Sequence, residues 1–484
     1  MSTCRIAPAL LSLALLGGCR VGPDFVRPPL PNVDRYTATP LPPQTVAAAD
    51  PAGAAQHLLP GEAVPARWWS AFASPALDTL VDAALQANPD LQAADAALRV
   101  ANETAAAQLG TLVPAVDLQV SPQRQRQAGS SPYTLHTAQV NVSYVLDVFG
   151  GNRRQHEALA AQAQVQGFQR QAAYMSLTSN VVATAIQEAG LRAQIDAAQA
   201  QIALAQRLRV LFARQYAAGQ ASGADLAAQD AALAQAQAVL PPLQQQLAQQ
   251  RARLAVLAGR PPSQDIAQRF TLESLRLPSA LPLSVPAQVL QRRADVAAAQ
   301  AQLHAACAQI GVATAARLPS LSLNWNIGSS AAEVQHLFEG ASAQWLLGAD
   351  LIAPLFHGGS LRHQQRAAVA AYDQAKAQYR SVVLTALQDT ANTLQALLSD
   401  AQTLQAAVAA RTAAARSLAL AQRQHVLGAG SGLQVLQAEQ VEQQAVAALV
   451  QAQTQRYADT VALFQALGGA PPVADDPAPQ TAAR

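Results

Sequence analysis

Aromatic side chains, lysine and cysteine are what this chain has least of. Aromatics are 4% of its 484 residues while hydrophobic residues are 51%, and alanine is the largest share of that apolar fraction. A core of large side chains is therefore not on offer. Alanine favours helix and lets helices approach closely, and the interleaved glutamine keeps the remaining surface wet. Only 13% of residues are charged, the 32 basic and 30 acidic side chains nearly cancel, and Lys376 is the only lysine. No basic stripe with interleaved aromatics exists, which excludes a nucleic-acid footprint. Three cysteines, Cys4, Cys19 and Cys307, make no disulfide framework, and Cys307 sits among alanines on a predicted helix as a small packing residue.

Catalytic patterns are equally scarce. There is no His-Glu-x-x-His run, no two of the eight histidines are spaced i, i+3 or i, i+4, and Lys376 lies mid-helix, which excludes a P-loop. His357 and His363 flank a glycine turn and read as exposed loop residues. The expected catalytic, metal and cofactor sets are empty, and the chain is expected not to be an enzyme.

What is present is organised around Leu112–Gly219. Val116, Leu118 and Val120 alternate with Asp117, Gln119 and Ser121, and Ala138, Val140, Val142 and Tyr144 alternate with Gln139, Asn141 and Ser143. Each strand thus has one apolar and one polar face. A helix from Asn152 to Tyr216 follows, holding no proline and only Gly167 and Gly190. At a rise of ~1.5 Å per residue it runs roughly 95 Å, far beyond an ordinary globular helix.

The second half repeats the first. Asp90 and Pro114 match Asp295 and Pro319 at an offset of 205; Phe149 and Gly151 match Phe356 and Gly358 at 207; Gly219, Ser222, Gly223 and Gly259 match Gly428, Ser431, Gly432 and Gly468 at 209. A one-way drift placed in loops marks a duplication. The expected organisation is a signal over 1–18, an extended anchor segment over 19–75, a first repeat over 76–285, a second over 286–469 and a flexible tail over 470–484. The first repeat holds strands near 115–127 and 135–147, a long helix 152–216 and a return helix 224–258. The second holds strands near 320–329 and 343–353, a long helix 361–427 and a return helix 433–467. Four strands cannot close a barrel, and an open edge is forbidden in lipid, so a membrane-spanning version must oligomerise.

Smaller signals fill in the rest. Trp68, Trp69 and Phe72 read as a packing anchor. Ser74-Pro75 and Asn88-Pro89 place a capping side chain before a helix-opening proline. Pro241-Pro242 is expected to kink only the first return helix, since the second copy has Val450-Gln451 there.

At the N-terminus, Arg5 precedes an apolar stretch, Ile6–Leu16, too short to span a membrane, and Leu16-Gly17-Gly18-Cys19 ends it. This resembles a bacterial lipoprotein signal cleaved before Cys19, which would carry N-acyl and S-diacylglycerol chains; Arg20 then implies sorting to the outer membrane.

Several further motifs occur in order: Val21-Gly22-Pro23-Asp24-Phe25, Trp68-Trp69-Ser70-Ala71-Phe72, Ser143 to Gly150, Ile310-Gly311-Val312-Ala313 before Leu318-Pro319-Ser320-Leu321, and Pro354 to Gly359. Together they resemble the TolC-like outer-membrane factors, specifically the NodT-type efflux lipoproteins, over Cys19 to Gly469. The resemblance implies a mainly α chain with membrane β: a homotrimer forming a 12-stranded β-barrel continued by a 12-helix periplasmic α-barrel. It implies docking onto a periplasmic adaptor and an inner-membrane pump, of the RND type, for export of drugs, metals or other small molecules. Alternatives are the outer-membrane channel of type I protein secretion, or a coiled-coil scaffold lipoprotein without a pore. Where the family usually has Arg-Pro-Asp, this chain has Arg293-Ala294-Asp295, which weakens a helix start.

The same resemblance assigns the periplasmic constriction and adaptor contact to the two turns holding Arg214, Gly219, Ser222, Gly223 and Asp225, and Arg423, Gly428, Ser431, Gly432, Gln434 and Gln437. Acids common at the second turn are replaced by Gln434 and Gln437. Asp225 has two expected partners: Arg214 across its own turn, or Arg423 of a neighbouring hairpin, the latter acting as a latch.

Overall fold

The computed structural model describes residues 20–468 except 32, 127 and 130. The expected signal, Cys19 and the tail lie outside the described residues. The elements run β1 (His57–Pro60), α1 (Pro75–Ala87), α2 (Pro89–Leu109), β2 (Ala115–Gln125), β3 (Tyr133–Leu146), α3 (Gly151–Ala217), α4 (Gly223–Leu257), β4 (Ala280–Leu283), α5 (Pro286–Arg292), α6 (Ala294–Ala315), β5 (Ser320–Ala331), β6 (Ala343–Ile352), α7 (Ser360–Val426) and α8 (Gly432–Leu467). The series α2-β2-β3-α3-α4 recurs as α6-β5-β6-α7-α8. Helices α3 and α7 are each 67 residues, about 100 Å of unbroken helix. No helix among the described residues is long and apolar enough to cross a membrane.

One local expectation is corrected. Ser74 precedes Pro75 but makes no side-chain cap; the Leu77 N–H that a cap would serve donates to the Ser74 carbonyl instead, at 3.0 Å. Asn88 does cap, its Oδ1 accepting from the backbone N–H groups of Asp90 at 3.0 Å and Leu91 at 3.1 Å. Pro241 and Pro242 lie inside α4, which continues through them to Leu257. At the Arg293-Ala294-Asp295 departure, α6 begins at Ala294 without proline, and Arg293 instead binds Asp295 at 2.7 Å and Asp389 at 3.1 Å.

The chain forms two compact units. The first takes residues 20–29, 95–169 and 297–382, and its centre is one antiparallel sheet in the order β2-β3-β5-β6. Its register puts Leu118, Val140, Ile327 and Trp345 in one row, and Val116, Val142, Trp325 and Leu347 in the next. Alternate rows carry Asp117, Asn141 and Asn326, or Gln119, Gln139 and Gln344. Because side chains alternate sides, a pattern already present in each strand becomes one apolar and one polar face for the whole sheet.

The second unit takes residues 30–94, 170–296 and 383–468. Trp68, Trp69 and Phe72 form a short 3-10 turn and are almost wholly buried. Trp68 stacks on Phe464 at 5.2 Å between ring centroids, and Phe72 lies 6.3 Å from Tyr457, so most of the few aromatics of this unit are spent on one cluster. A two-stranded parallel sheet, β1 with β4, pairs His57 with Ala280 and holds the proline-rich segment in place.

Candidate channel wall and hairpin tips

The apolar face of the sheet is uncovered within the chain. Leu118 and Trp345 are each 74% exposed, and Val116, Val120, Leu347 and Leu351 are exposed as well. An apolar surface of this extent marks a contact with lipid or another protein. The opposite face is polar and internally bonded: Gln119 Oε1 accepts from Gln139 at 3.2 Å and Asn141 at 3.0 Å, and Asp350 accepts from Asn324 at 2.8 Å. Strands of 11, 14, 12 and 10 residues meet the ~9–11 residues a tilted transmembrane strand requires. Among the described residues, strands β2 and β6 each have a partner on one side only.

The two hairpin tips share one backbone design. At the end of α3, Gln220 N–H donates to Gln215 O at 2.8 Å and Gly219 N–H to Tyr216 O at 3.0 Å; at the end of α7, Ala429 N–H donates to Gln424 O at 2.9 Å and Gly428 N–H to His425 O at 3.0 Å. Gly219 and Gly428 sit at φ 69° and 74°, the left-handed conformation that this helix-ending motif requires. Ser222 and Ser431 then open α4 and α8 with capping boxes. The Asp225 N–H donates to Ser222 Oγ at 3.1 Å, and Asp225 Oδ2 accepts from the Ser222 N–H at 2.9 Å and hydroxyl at 2.7 Å. In the second tip Gln434 takes the same role with Ser431, at 3.2 and 3.0 Å. Gly223 and Gly432 are the first residues of the return helices, and Gln437 is exposed one turn on.

This arrangement corrects the expected ion pair between Arg214 and Asp225. Among the described residues neither Arg214 nor Arg423 pairs with Asp225 within the chain; its carboxylate is turned back onto the helix start, where it accepts from the Ser222 amide and hydroxyl. The Ser222 hydroxyl and backbone N–H hold that carboxyl below its ordinary range. Ion pairs that sequence reading missed lie nearby: Arg209 bonds Asp230 at 2.6 Å, joining α3 to α4, and Arg207 bonds Glu439, joining α3 to α8. The second tip also exposes Val426 and Leu427, at 84% and 82%, where the first has Ala217 and Ala218.

The residues that follow Cys19 have a built seat in the first unit. Val21 N–H donates to Phe149 O at 3.1 Å. The almost wholly buried Arg154 donates to Val21 O at 3.1 Å, Gly22 O at 3.2 Å, Asp24 at 2.7 Å and Glu157 at 2.9 Å. A Cβ on Gly22 would lie 2.5 Å from Gly311 Cα, so only glycine passes there. Phe25 stacks on His304 at 4.4 Å, and Cys307, buried, lies 3.7 Å from Pro23 O. His357 and His363 are exposed.

Charge is buried in the second unit too. Arg251 bonds the buried Glu188 at 2.7 Å and Asp265 at 2.6 Å. Asp400 on α7 faces Asp459 on α8, and burial first, then that second carboxyl, push Asp400 up to about 7 against the pull of Arg456.

Comparison with known proteins agrees with this geometry. The family described as outer membrane efflux protein matches residues 80–260 and 285–469, two segments that coincide with the two copies of the repeat. The pyoverdine export outer membrane protein OpmQ of Pseudomonas putida is 32% identical over 454 residues, 89% of this chain and 94% of that one. The toluene efflux pump outer membrane protein TtgC of Pseudomonas putida is 30% identical over 473 residues, 95% of each. The solved outer-membrane channel OprN superposes with a TM-score of 0.78 at 28% identity, over 93% of this chain and 99% of that one. A chain with a duplicated strand-and-long-helix unit, an uncovered apolar sheet face and these relatives belongs to the outer membrane efflux protein family.

Proposed function

We propose that three copies of the chain close their sheets edge to edge into a 12-stranded barrel, continued by their long helices into a periplasmic conduit, through which a tripartite pump exports small molecules. The observation that carries this reading is the sheet itself, apolar on one face, polar on the other and open at β2 and β6. Unpaired strand edges cannot stand in lipid, and four strands fall short of the ~8 that close the smallest membrane barrels. Three copies supply twelve. A coiled-coil scaffold has no use for such a face, which disfavours that alternative.

The hairpin tips are the docking end for a periplasmic adaptor, and the adaptor links them to an inner-membrane transporter of the RND type. The names of OpmQ and TtgC place those two proteins in pyoverdine export and toluene efflux; small organic molecules are the cargo class that this likeness supports here. Acylation of Cys19 fits the seat at Arg154, because Arg20 and Val21 lie beside the β3–α3 junction, Val21 bonded to Phe149, where a barrel strand leaves the membrane.

Purified in detergent, the protein is expected to migrate as a trimer that dissociates on heating, and to conduct ions when reconstituted into planar bilayers. A water-soluble monomer that leaves bilayers electrically silent would overturn the proposal.

A further inference from the structure

The polar face of the sheet carries charge of one sign. From the register, it comprises the odd-numbered positions of β2 and β3 and the even-numbered positions of β5 and β6. Over those positions the side chains are Asp, Gln, Ser, Asn and Thr with a few small or apolar residues and Tyr133. The only ionised groups are Asp117 and Asp350. The basic candidates on these strands, Arg124 and His136, fall on the other parity, toward the hairpin ends.

Their placement adds to this. Asp117 is the third residue of β2 and Asp350 stands two residues before the end of β6, so both lie at the strand ends that join helices. They also lie on the two edge strands. Closing β6 of one copy against β2 of the next brings each Asp350 to the same seam as an Asp117. Asp350 is held there by Asn324 at 2.8 Å. At the second tip Gln434 and Gln437 are neutral, which leaves Asp225, turned onto the start of its own helix, as one acid where the strand ends supply two.

We propose that Asp117 and Asp350 are the specificity-determining charges of the membrane-spanning lumen: a ring of six carboxylates at its periplasmic mouth that favours cationic solutes and holds back anionic ones. This rests on the trimeric-pore reading above. Like charges around a low-dielectric wall focus the potential and raise the local concentration of counter-ions. The effect must fade with salt, because the Debye length shrinks from about 10 Å at 0.1 M to about 3 Å at 1 M.

The test is the reversal potential of the full-length protein in a planar bilayer under a KCl gradient. Wild type is expected to prefer K⁺, more strongly at 0.1 M than at 1 M salt. The Asp117→Asn/Asp350→Asn variant is expected to bring the cation-to-anion permeability ratio about twofold or more closer to unity, and Asp117→Lys/Asp350→Lys to take it below unity and reverse the sign of the potential. Heat-dissociable trimers on gels establish that each variant assembles; should a double variant not assemble, Asp117→Asn alone is expected to give part of the shift. A conducting wild type with no preference for K⁺, or assembled variants with an unchanged ratio, overturns the charge ring and leaves the channel standing. A wild type that never conducts overturns both.

Discussion

The two halves of this chain have nearly the same backbone and different chemistry. Both tips end a long helix with a left-handed glycine and open the next with a serine capping box, yet one box is completed by Asp225 and the other by Gln434. Both strand-to-helix junctions carry a Phe, but Phe149 O is bonded by the N-terminal segment while Phe356 is 86% exposed. The buried ion networks differ as well: Arg251 of the first return helix bridges the carboxylates of Glu188 and Asp265, whereas Arg456 of the second donates to the Thr45 hydroxyl and the Ala54 carbonyl. Duplication supplied a scaffold on which hydrogen-bond geometry was kept and charge was free to diverge.

The largest way to break that comparison is at the junction. Arg154→Ala should cost about 2–4 kcal/mol by leaving carbonyls and carboxylates of the seat without their donor, while Leu361→Ala, at the matching place in the second repeat, should cost under about 1 kcal/mol. Thermal melts, with protease exposure of residues 20–25, would show it; equal losses would mean that the seat contributes nothing particular to the first half.

Next comes the Asp400–Asp459 pair, which has no counterpart in the first half. A carboxyl raised to about 7 when folded binds its proton more tightly in the folded than in the unfolded chain. Its stabilisation is therefore complete below the ordinary aspartate range and lost as pH rises through about 7. The melting temperature should be higher at pH 5 than at pH 8, and Asp400→Asn, facing Asp459 and Arg456, should flatten that slope. An unchanged slope in the variant would remove Asp400 from the account.

Smaller and symmetric effects are expected at the turns. Gly219→Ala and Gly428→Ala should each cost about 1 kcal/mol, since both place a Cβ at positive φ, and amide exchange at the tips should rise equally in the two. The smallest difference is one of acid sensitivity. A carboxyl held low, as in Asp225, contributes above its unfolded value and loses that contribution as pH falls below 3.8. The Ser222 amide should then exchange faster in acid while the Ser431 amide, capped by Gln434, should not.

Much of this was legible because the pattern is local. Period-two alternation in β2, β3, β5 and β6, and long proline-free stretches in α3 and α7, are signals that neighbours on the chain write directly. The pairing of β1 with β4 was not legible, because four-residue strands that meet His57 to Ala280 leave no periodic trace. Nor was the Arg154 seat, where an arginine on α3 gathers Val21, Gly22 and Asp24 from far along the chain. Asp225 misled for a related reason: a serine three residues before an acid is also a capping-box spacing, and the local claim on that carboxylate prevailed over the longer-range one.

The bonding of the tips bears on how the proposed adaptor would meet them. Gly219, Gln220, Gly428 and Ala429 already donate their amides within their own turns, so an adaptor docking as proposed would be recognised by what protrudes, above all Val426 and Leu427. Greasy contact over a turn is tolerant of mismatch and readily undone, the property that the proposed coupling to a pump would call for.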